Sequence, residues 1–469
     1  MKLALSAFFF LLIVMGCANT NSTTEAIVAE SSFPPETFPV VVRLLKDGQI
    51  DQNWNGGEIP AAMVNRPEIL KCPAQVGDGL VFDGNAVISS GASFDEFIML
   101  QHDVVGDLNK SFPNNSHSIK PFHLGYGRYS GGLVKRYDSQ RLLVIGSARS
   151  RKHSAILLGR LIGNGAFDPT FADAGSIVLT PQMFGISNVS SWTVHNAFVL
   201  QNGAMRILAV GDASIFLLGV KASGDVDRSF GQNGQVKLRQ MASSNGLREE
   251  IIDSSIIEPQ SALILGINQP TAAGGSQDGG FELGKFDLET GAPDPNFGSA
   301  GTFTATYSTG PSRLLSLTTL PNSIAVLSGF RINAGSPFSN YGIYEVSFDG
   351  NETDFAGNSR TVFSAAPLSG LQLRESIAAT DGHLIVAGSN PRFTNGVAKI
   401  IMDSPDQTLE GALDRSFANN GVRLMSKMRD QNLAVFDGVY MEFLSGFETQ
   451  AHLVLLGRGR KSFGALCPQ

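Results

Sequence analysis

Seven times along this chain a glycine is followed by an acidic or amide residue and, three places later, by an aromatic side chain. The aromatic positions are Trp54, Phe112, Phe171, Phe230, Phe297, Phe355 and Phe417, at intervals of 58, 59, 59, 67, 58 and 62 residues. Three places before them stand Asp51, Asn109, Asp168, Asp227, Asp294, Glu352 and Asp414. Self-similarity at a fixed period means that the fold is made of stacked copies of one unit rather than of several unrelated domains. The glycine at six places before the aromatic is kept in every copy except the one holding Gly350, which sits one place later.

Each unit also carries an aliphatic run that ends in glycine, such as RLLVIG, RILAVG, IAVLSG or HLVLLG, usually preceded by turn residues. Short apolar runs bounded by turns read as buried strands. A further strand lies between that glycine and the aromatic (AILLGRL, IFLLGV), another follows the aromatic (GSIVLT, GQVKL), and a less regular one precedes the run. The expected fold is therefore all-β: a seven-bladed β-propeller of four-stranded antiparallel blades, each sheet hiding its faces against its neighbours. An open solenoid is the rival, but it needs capping repeats, and the two ends look complementary instead. Pro39 to Leu45, PVVVRLL, resembles the strand that precedes an aromatic, while the last unit stops soon after HLVLLG, so the N-terminal strand can complete the last blade. Ser462 to Pro468, SFGALCP, competes for the same place.

The ends carry their own signals. Lys2, an apolar run from Leu3 to Met15, then Gly16 and Cys17 read as a signal sequence over residues 1–16. Val14, Met15, Gly16 and Cys17 resemble the lipobox of bacterial lipoproteins, which implies acylation of Cys17; an ordinary cleaved signal is the alternative. Ala18 after the cysteine fits the pattern associated with the outer membrane of Gram-negative cells. Residues 17–38 are small, polar and Pro-containing, a flexible tether ahead of the repeat region 39–469. If Cys17 carries lipid, Cys72 and Cys467 remain as one pair in an oxidising compartment, and we expect a disulfide across the seam; two separate buried thiols are the alternative.

The turns DVDRSFGQNG, ALDRSFANNG and APDPNFGSAG resemble the delta-60 repeat, a bacterial family whose units read Leu-Asp-x-Ser-Phe-Gly-x-x-Gly and continue into strands. The resemblance spans nearly all of 39–469. It is good around Phe171, Phe230, Phe297 and Phe417 and degenerate around Trp54, Phe112 and Phe355. It implies a propeller-like repeat on secreted or surface proteins and no established activity.

The pairs Asp168/Phe171, Asp227/Phe230, Asp294/Phe297 and Asp414/Phe417 read as structural turns, the carboxylate accepting a backbone N–H two residues on while the aromatic drops between blades. Asn109 and Glu352 fill the same place, which suits a turn better than a metal, and no metal or cofactor is expected. A net charge of -7 argues against nucleic acid. The motifs of metalloproteases, serine hydrolases and phosphate loops are absent. One surface stands out. Arg149, Arg151, Lys152, Arg331, Arg392, Arg458, Arg460 and Lys461 all follow the glycine-ended strands and so share one face, to which Arg248, Arg313, Lys427 and Arg429 add from the loops between units. Either this face meets an anionic partner or it is a solvated rim. The expected function is a lipid-anchored binding or interaction module of the cell envelope, exported to the outer membrane, with an anionic glycan, envelope polymer or protein as partner; the alternative is a propeller hydrolase or lyase acting on carbohydrate or peptide.

Overall fold

The computed structural model describes residues 37–49, 51–54 and most of 75–460; the longest internal segments outside it are 55–74, 120–127, 270–279, 331–339 and 426–439. Among the described residues there is no α-helix, and the chain forms six four-stranded antiparallel sheets, one three-stranded sheet and a two-residue ladder at Ser243–Ser244 with Leu247–Arg248. Numbered in chain order, sheets I to VI span residues 75–119, 128–179, 192–240, 250–305, 312–364 and 372–425. Within each, the strands pair in the order in which they occur. Sheet III is typical: Trp192–Val199, Met205–Gly211, Ser214–Val220 and Gln235–Gln240 are its first to fourth strands.

Sheet VII is made from both ends of the chain. Tyr440–Glu448 and His452–Arg460 are its first and second strands, and Thr37–Leu45 pairs antiparallel with the second along its whole length, from Thr37 opposite Arg460 to Leu45 opposite His452. This strand starts two residues before the boundary that the sequence suggests. It takes the position for which SFGALCP also competed; that segment, with Cys17, Cys72 and Cys467, lies outside the described residues.

Burial explains why the strands differ in sequence. Second and third strands are covered on both faces, so RLLVIGSAR, SAILLGRLI and ALILGIN are nearly continuous apolar runs. The fourth strand of sheet III, QVKLRQ, is half-buried and alternates. The core lies between neighbouring sheets. Leu143 and Ile156 of sheet II pack with Trp192 and Ile207 of sheet III, and Ile264 and Phe281 of sheet IV with Leu314 and Tyr344 of sheet V. The repeating aromatic belongs to these layers: Phe171 sits between II and III, Phe230 between III and IV, Phe297 between IV and V.

The turn beneath each aromatic is one hydrogen-bonded unit. The backbone N–H groups of Phe171, Phe230, Phe297 and Phe417 donate to the carbonyls of Asp168, Asp227, Asp294 and Asp414 at 3.0–3.3 Å. One carboxylate oxygen accepts the N–H two residues on, from Thr170 (2.9 Å), Asn296 (3.0 Å) and Ser416 (3.0 Å). Ser229 donates its hydroxyl to Asp227 instead, at 2.6 Å. The other oxygen faces a cation in the middle of an apolar strand: Arg43 with Asp51 (2.7 Å), Arg160 with Asp168 (2.8 Å), Lys285 with Asp294 (3.3 Å) and Lys399 with Asp414 (3.7 Å). In sheet III, where the third strand has Gly219 at that place, Arg206 of the second strand approaches Asp227 at 3.6 Å instead. The guanidinium groups of Arg43, Arg160 and Arg206 also lie over the rings of Trp54, Phe171 and Phe230 at 4.4, 4.8 and 4.1 Å.

The same cations reach the next sheet. Arg160 donates to Ala222 O (2.9 Å), Arg206 to Leu288 O (2.8 Å) and Lys285 to Phe348 O (2.8 Å). Beside three of the aromatics a backbone N–H does likewise: Ala172 to Ser223 O (2.6 Å), Gly298 to Asp349 O (2.7 Å) and, from sheet VI to sheet VII, Ala418 to Asp47 O (2.5 Å). The signature glycine makes that approach possible. At Gly224 (φ 96°) a Cβ would fall 2.6 Å from Ala172 Cβ, and at Gly48 (φ 78°) 2.7 Å from Phe417 Cζ.

Removing one partner of a buried ion pair leaves a charge without compensation, at a cost of about 3–5 kcal/mol. Asp168 and Arg160 are 6% and 5% exposed, whereas Asp294 is 31% exposed. We therefore expect Asp168→Ala to lower stability by about 3 kcal/mol or more and Asp294→Ala by about 1 kcal/mol. Urea denaturation of the two variants checks this, and equal losses would contradict the buried-pair account.

Candidate functional site

The first strand of every sheet carries a register shift near its start, at Val76/Leu80, Ser130/Leu133, Val194/Asn196, Ile251/Asp253, Leu314/Ser316, Leu373/Glu375 and Phe443/Ser445. These β-bulges are why this strand is the least regular in sequence. A bulge re-aims side chains and leaves a backbone group without its ladder partner. Here the preceding sheet supplies the partner. Val194 N–H donates to Ser147 Oγ (2.8 Å), Leu314 N–H to Asn268 Oδ1 (2.7 Å) and Leu373 N–H to the Tyr341 hydroxyl (3.0 Å).

At the same level, polar side chains join the first strands of sheets III to VI. Asn196 donates to Ser254 Oγ at 3.0 Å. Asp253 Oδ2 accepts from Leu317 N–H (2.7 Å) and Ser316 Oγ (3.2 Å). Ser316 Oγ accepts from Ser376 N–H (3.2 Å), and Thr318 and Ser376 share a hydrogen bond of 2.6 Å. The four strands thus run side by side in the same direction, with their bulges aligned.

Two titratable groups in this belt are shifted. Burial pushes the Asp253 carboxyl up to about 6, against the opposing pull of its hydrogen bonds from Leu317, Ser254 and Ser316 and of Lys135. Burial, with help from the Lys135 cation, pushes the His195 imidazole down to about 4. Lys135, His195 and Asp253 stand on the first strands of sheets II, III and IV, and each keeps some exposed surface despite dense surroundings. Near neutral pH the site holds a neutral imidazole, an ammonium and a carboxylate that titrates close to the working range, groups suited to proton exchange or to binding a polar ligand. Asp253 already has both oxygens engaged, with Oδ1 accepting Ser254 N–H at 2.7 Å. Among the described residues no cluster of three or more His, Cys, Asp or Glu could hold a metal.

The basic face is described only in part. Arg149 is exposed at the end of the second strand of sheet II, opposite Arg128 and Ser154. Arg458 and Arg460 lie at the equivalent end in sheet VII, opposite Pro39 and Thr37. Arg313 is paired with Glu250 of the neighbouring sheet at 2.7 Å and so is partly neutralised. Arg151, Lys152, Arg331, Arg392, Lys427, Arg429 and Lys461 lie outside the described residues, as does the side chain of Arg248. The sequence reading missed the belt and the mid-strand cations. The cations leave a trace: a charged residue that interrupts an apolar strand, as in VVVRLL, LLGRLI and ELGKF.

No protein-family model matches the chain, and no curated protein matches it in sequence. Solved structures similar in shape include the Nup133 β-propeller domain of Vanderwaltozyma polyspora, at 11% identity over 81% of this chain and 93% of that one, with a TM-score of 0.41. The polysaccharide lyase Uly1 is 9% identical over 82% of this chain and 90% of that one (TM-score 0.41). Prolyl oligopeptidase B of Galerina marginata is 12% identical, with 77% of this chain matching 46% of that longer one (TM-score 0.42). At these identities and scores the likeness assigns neither a ligand nor a reaction.

The two shifts oppose each other in pH dependence. Between about 4 and 6 the native state holds the Asp253 proton that the unfolded chain releases, so this group alone makes stability fall as pH rises through that window. Between about 4 and 6.5 native His195 lacks a proton that the unfolded chain binds, so it makes stability rise with pH. Asp253→Asn should therefore leave a stability that climbs from pH 4 to 6.5, and His195→Gln one that declines from pH 4 to 6, each by roughly 2 kcal/mol. Denaturant midpoints across that range test both signs.

Proposed function

We propose that the seven sheets form a closed propeller of the delta-60 type, anchored through an acylated Cys17, and that it serves the cell envelope as a binding module for an anionic partner: an acidic glycan, an envelope polymer or an acidic protein patch. Several contacts support the closed ring. Thr37–Leu45 completes sheet VII, and the ring of Trp54, the aromatic of that sheet, lies 6.0 Å from His102 of sheet I. The first strand of sheet I neighbours those of sheets II and VII. The observation that carries the binding reading is Arg149, exposed at a strand end whose equivalent in sheet VII holds Arg458 and Arg460.

A hydrolase or lyase acting on carbohydrate or peptide is the second reading, favoured by Lys135, His195 and Asp253 on three neighbouring first strands. His195→Ala would abolish turnover of any substrate found by screening while leaving ligand binding at the rim untouched.

Thermal shift of the purified chain against anionic and neutral oligosaccharides tests the first reading. At a hundredfold excess over Kd a ligand adds about 2.7 kcal/mol. We expect stabilisation by anionic ligands that Arg149→Ala combined with Arg151→Ala and Lys152→Ala removes. No shift with any anion, or a shift that survives the triple variant, would count against a basic-face site.

A further inference from the structure

We propose that Asp253 and Ser316 form a proton-operated joint: when Asp253 takes up a proton, its hydrogen bond with Ser316 reverses and the hold of sheet V on sheet VI weakens.

Sheets V and VI meet without one of the links that join the sheets before them. From sheets II, III and IV a cation donates to a carbonyl of the next sheet, through Arg160, Arg206 and Lys285. Sheet V has an acceptor at that place. The carbonyl of Glu345 receives the N–H of Thr353 (3.0 Å), as the carbonyls of Arg160 and Lys285 receive those of Asp168 (2.8 Å) and Asp294 (2.9 Å), so Glu345 is their equivalent. Its carboxylate accepts from Ser323 (2.5 Å) and from Thr353 Oγ1 (3.2 Å), both in its own sheet. Between described residues, the hydrogen bonds from sheet V to sheet VI therefore lie at the level of the bulges. Leu373 N–H donates to the Tyr341 hydroxyl (3.0 Å), Ser376 N–H to Ser316 Oγ (3.2 Å), and Thr318 and Ser376 share the bond of 2.6 Å.

At that level a side chain of one sheet accepts a backbone N–H of the next. Ser147, Asn268, Ser316 and Tyr341 do so as neutral groups, and Asp253 does so as a carboxyl, taking Leu317 N–H at 2.7 Å. The hydrogen bonds to Asp253 all come from donors: Leu317 N–H and the Ser316 hydroxyl on Oδ2, and Ser254 N–H on Oδ1. Three donors suit a carboxylate. A proton on Asp253 sets donor against donor, and of the three only the hydroxyl can turn round, because an N–H cannot accept. Asp253 then donates to Ser316 Oγ, the oxygen that also receives Ser376 N–H, and the proton of the fully buried Ser316 loses its acceptor. Ionised, the same site holds a buried charge. Each state carries a cost, which keeps the two close in energy. Asp253 accordingly titrates near pH 6, displaced upward by burial.

The charged groups around Asp253 leave this window to it. Lys135 of sheet II pulls its titration down, and His195 of sheet III stays neutral because it titrates near 4. Glu250, on the same strand, and Arg313 of sheet V pair with each other at 2.7 Å. The side chains of Arg374 and Glu375, on the first strand of sheet VI, lie outside the described residues.

Hydrogen exchange of the whole chain, read by mass spectrometry and corrected for the intrinsic effect of pH, tests the joint. From about pH 7.5 to about pH 5 we expect protection over residues 372–378 to fall roughly fivefold, as when one hydrogen bond is lost, while that over 205–211 stays level. Asp253→Asn, which cannot ionise, removes the change. Ser316→Ala removes it from 372–378 although Asp253 still titrates, and Lys135→Gln moves its midpoint to higher pH. Circular dichroism verifies that each variant is folded; if Asp253→Asn does not fold, the other two decide. A wild type without the change, a change that persists in Ser316→Ala, or a midpoint unmoved in Lys135→Gln overturns the proposal.

Discussion

Everything in this structure depends on how one sheet hands its unsatisfied polar groups to the next. In sheets II and III a buried arginine, Arg160 on the third strand or Arg206 on the second, faces the carboxylate of its own aromatic turn, lies over the aromatic ring and donates to a carbonyl of the following sheet, and Lys285 of sheet IV does the first and last of these. Apolar layers between sheets supply most of the favourable free energy, but they are non-directional. Hydrogen bonds from Arg160, Arg206 and Lys285 fix the distance and angle at which neighbouring sheets meet, because a guanidinium or ammonium left unpaired there would be costly. The bulges do the same at the other end of the strands, where Ser147, Asn268 and Tyr341 receive the backbone N–H groups that the bulges release. The interfaces from sheet II to sheet V are thus pinned at two heights.

The repeat was legible because its turn needs particular residues. Only a residue tolerant of positive φ fits where Gly224 and Gly48 touch the adjoining turn, and only a short oxygen-bearing side chain can cap the N–H two residues on. Such requirements return at a fixed spacing and survive the divergence of everything between them. The strand order was legible for a related reason: strands buried on both faces become continuous apolar runs, and the half-buried fourth strand does not.

The belt of first-strand side chains was not legible, since nothing local marks a residue as facing the adjacent sheet. His195 looks like any polar residue in an irregular strand, and its displaced titration arises from burial against the adjacent sheets, helped by Lys135, sixty positions earlier in the chain. The cations beneath the aromatic turns were half visible. Arg43 and Arg160 stand eight places before Asp51 and Asp168, but longer loops move Lys285 and Lys399 to nine and fifteen places before Asp294 and Asp414. That drift hides a contact which is constant in space.

The strand Thr37–Leu45 has a consequence for the order of events as the protein is made. It is among the first parts of the repeat region to be synthesised, and its hydrogen-bonding partner, His452–Arg460, is among the last. Until that partner arrives, an apolar strand presents an unpaired edge, the condition under which strands join the wrong chain. Contacts between the two ends of so long a chain are also the slowest to close. Folding of the last sheet therefore waits for the whole polypeptide, and a chain halted early lacks the closing strands of its final sheet rather than a dispensable tail.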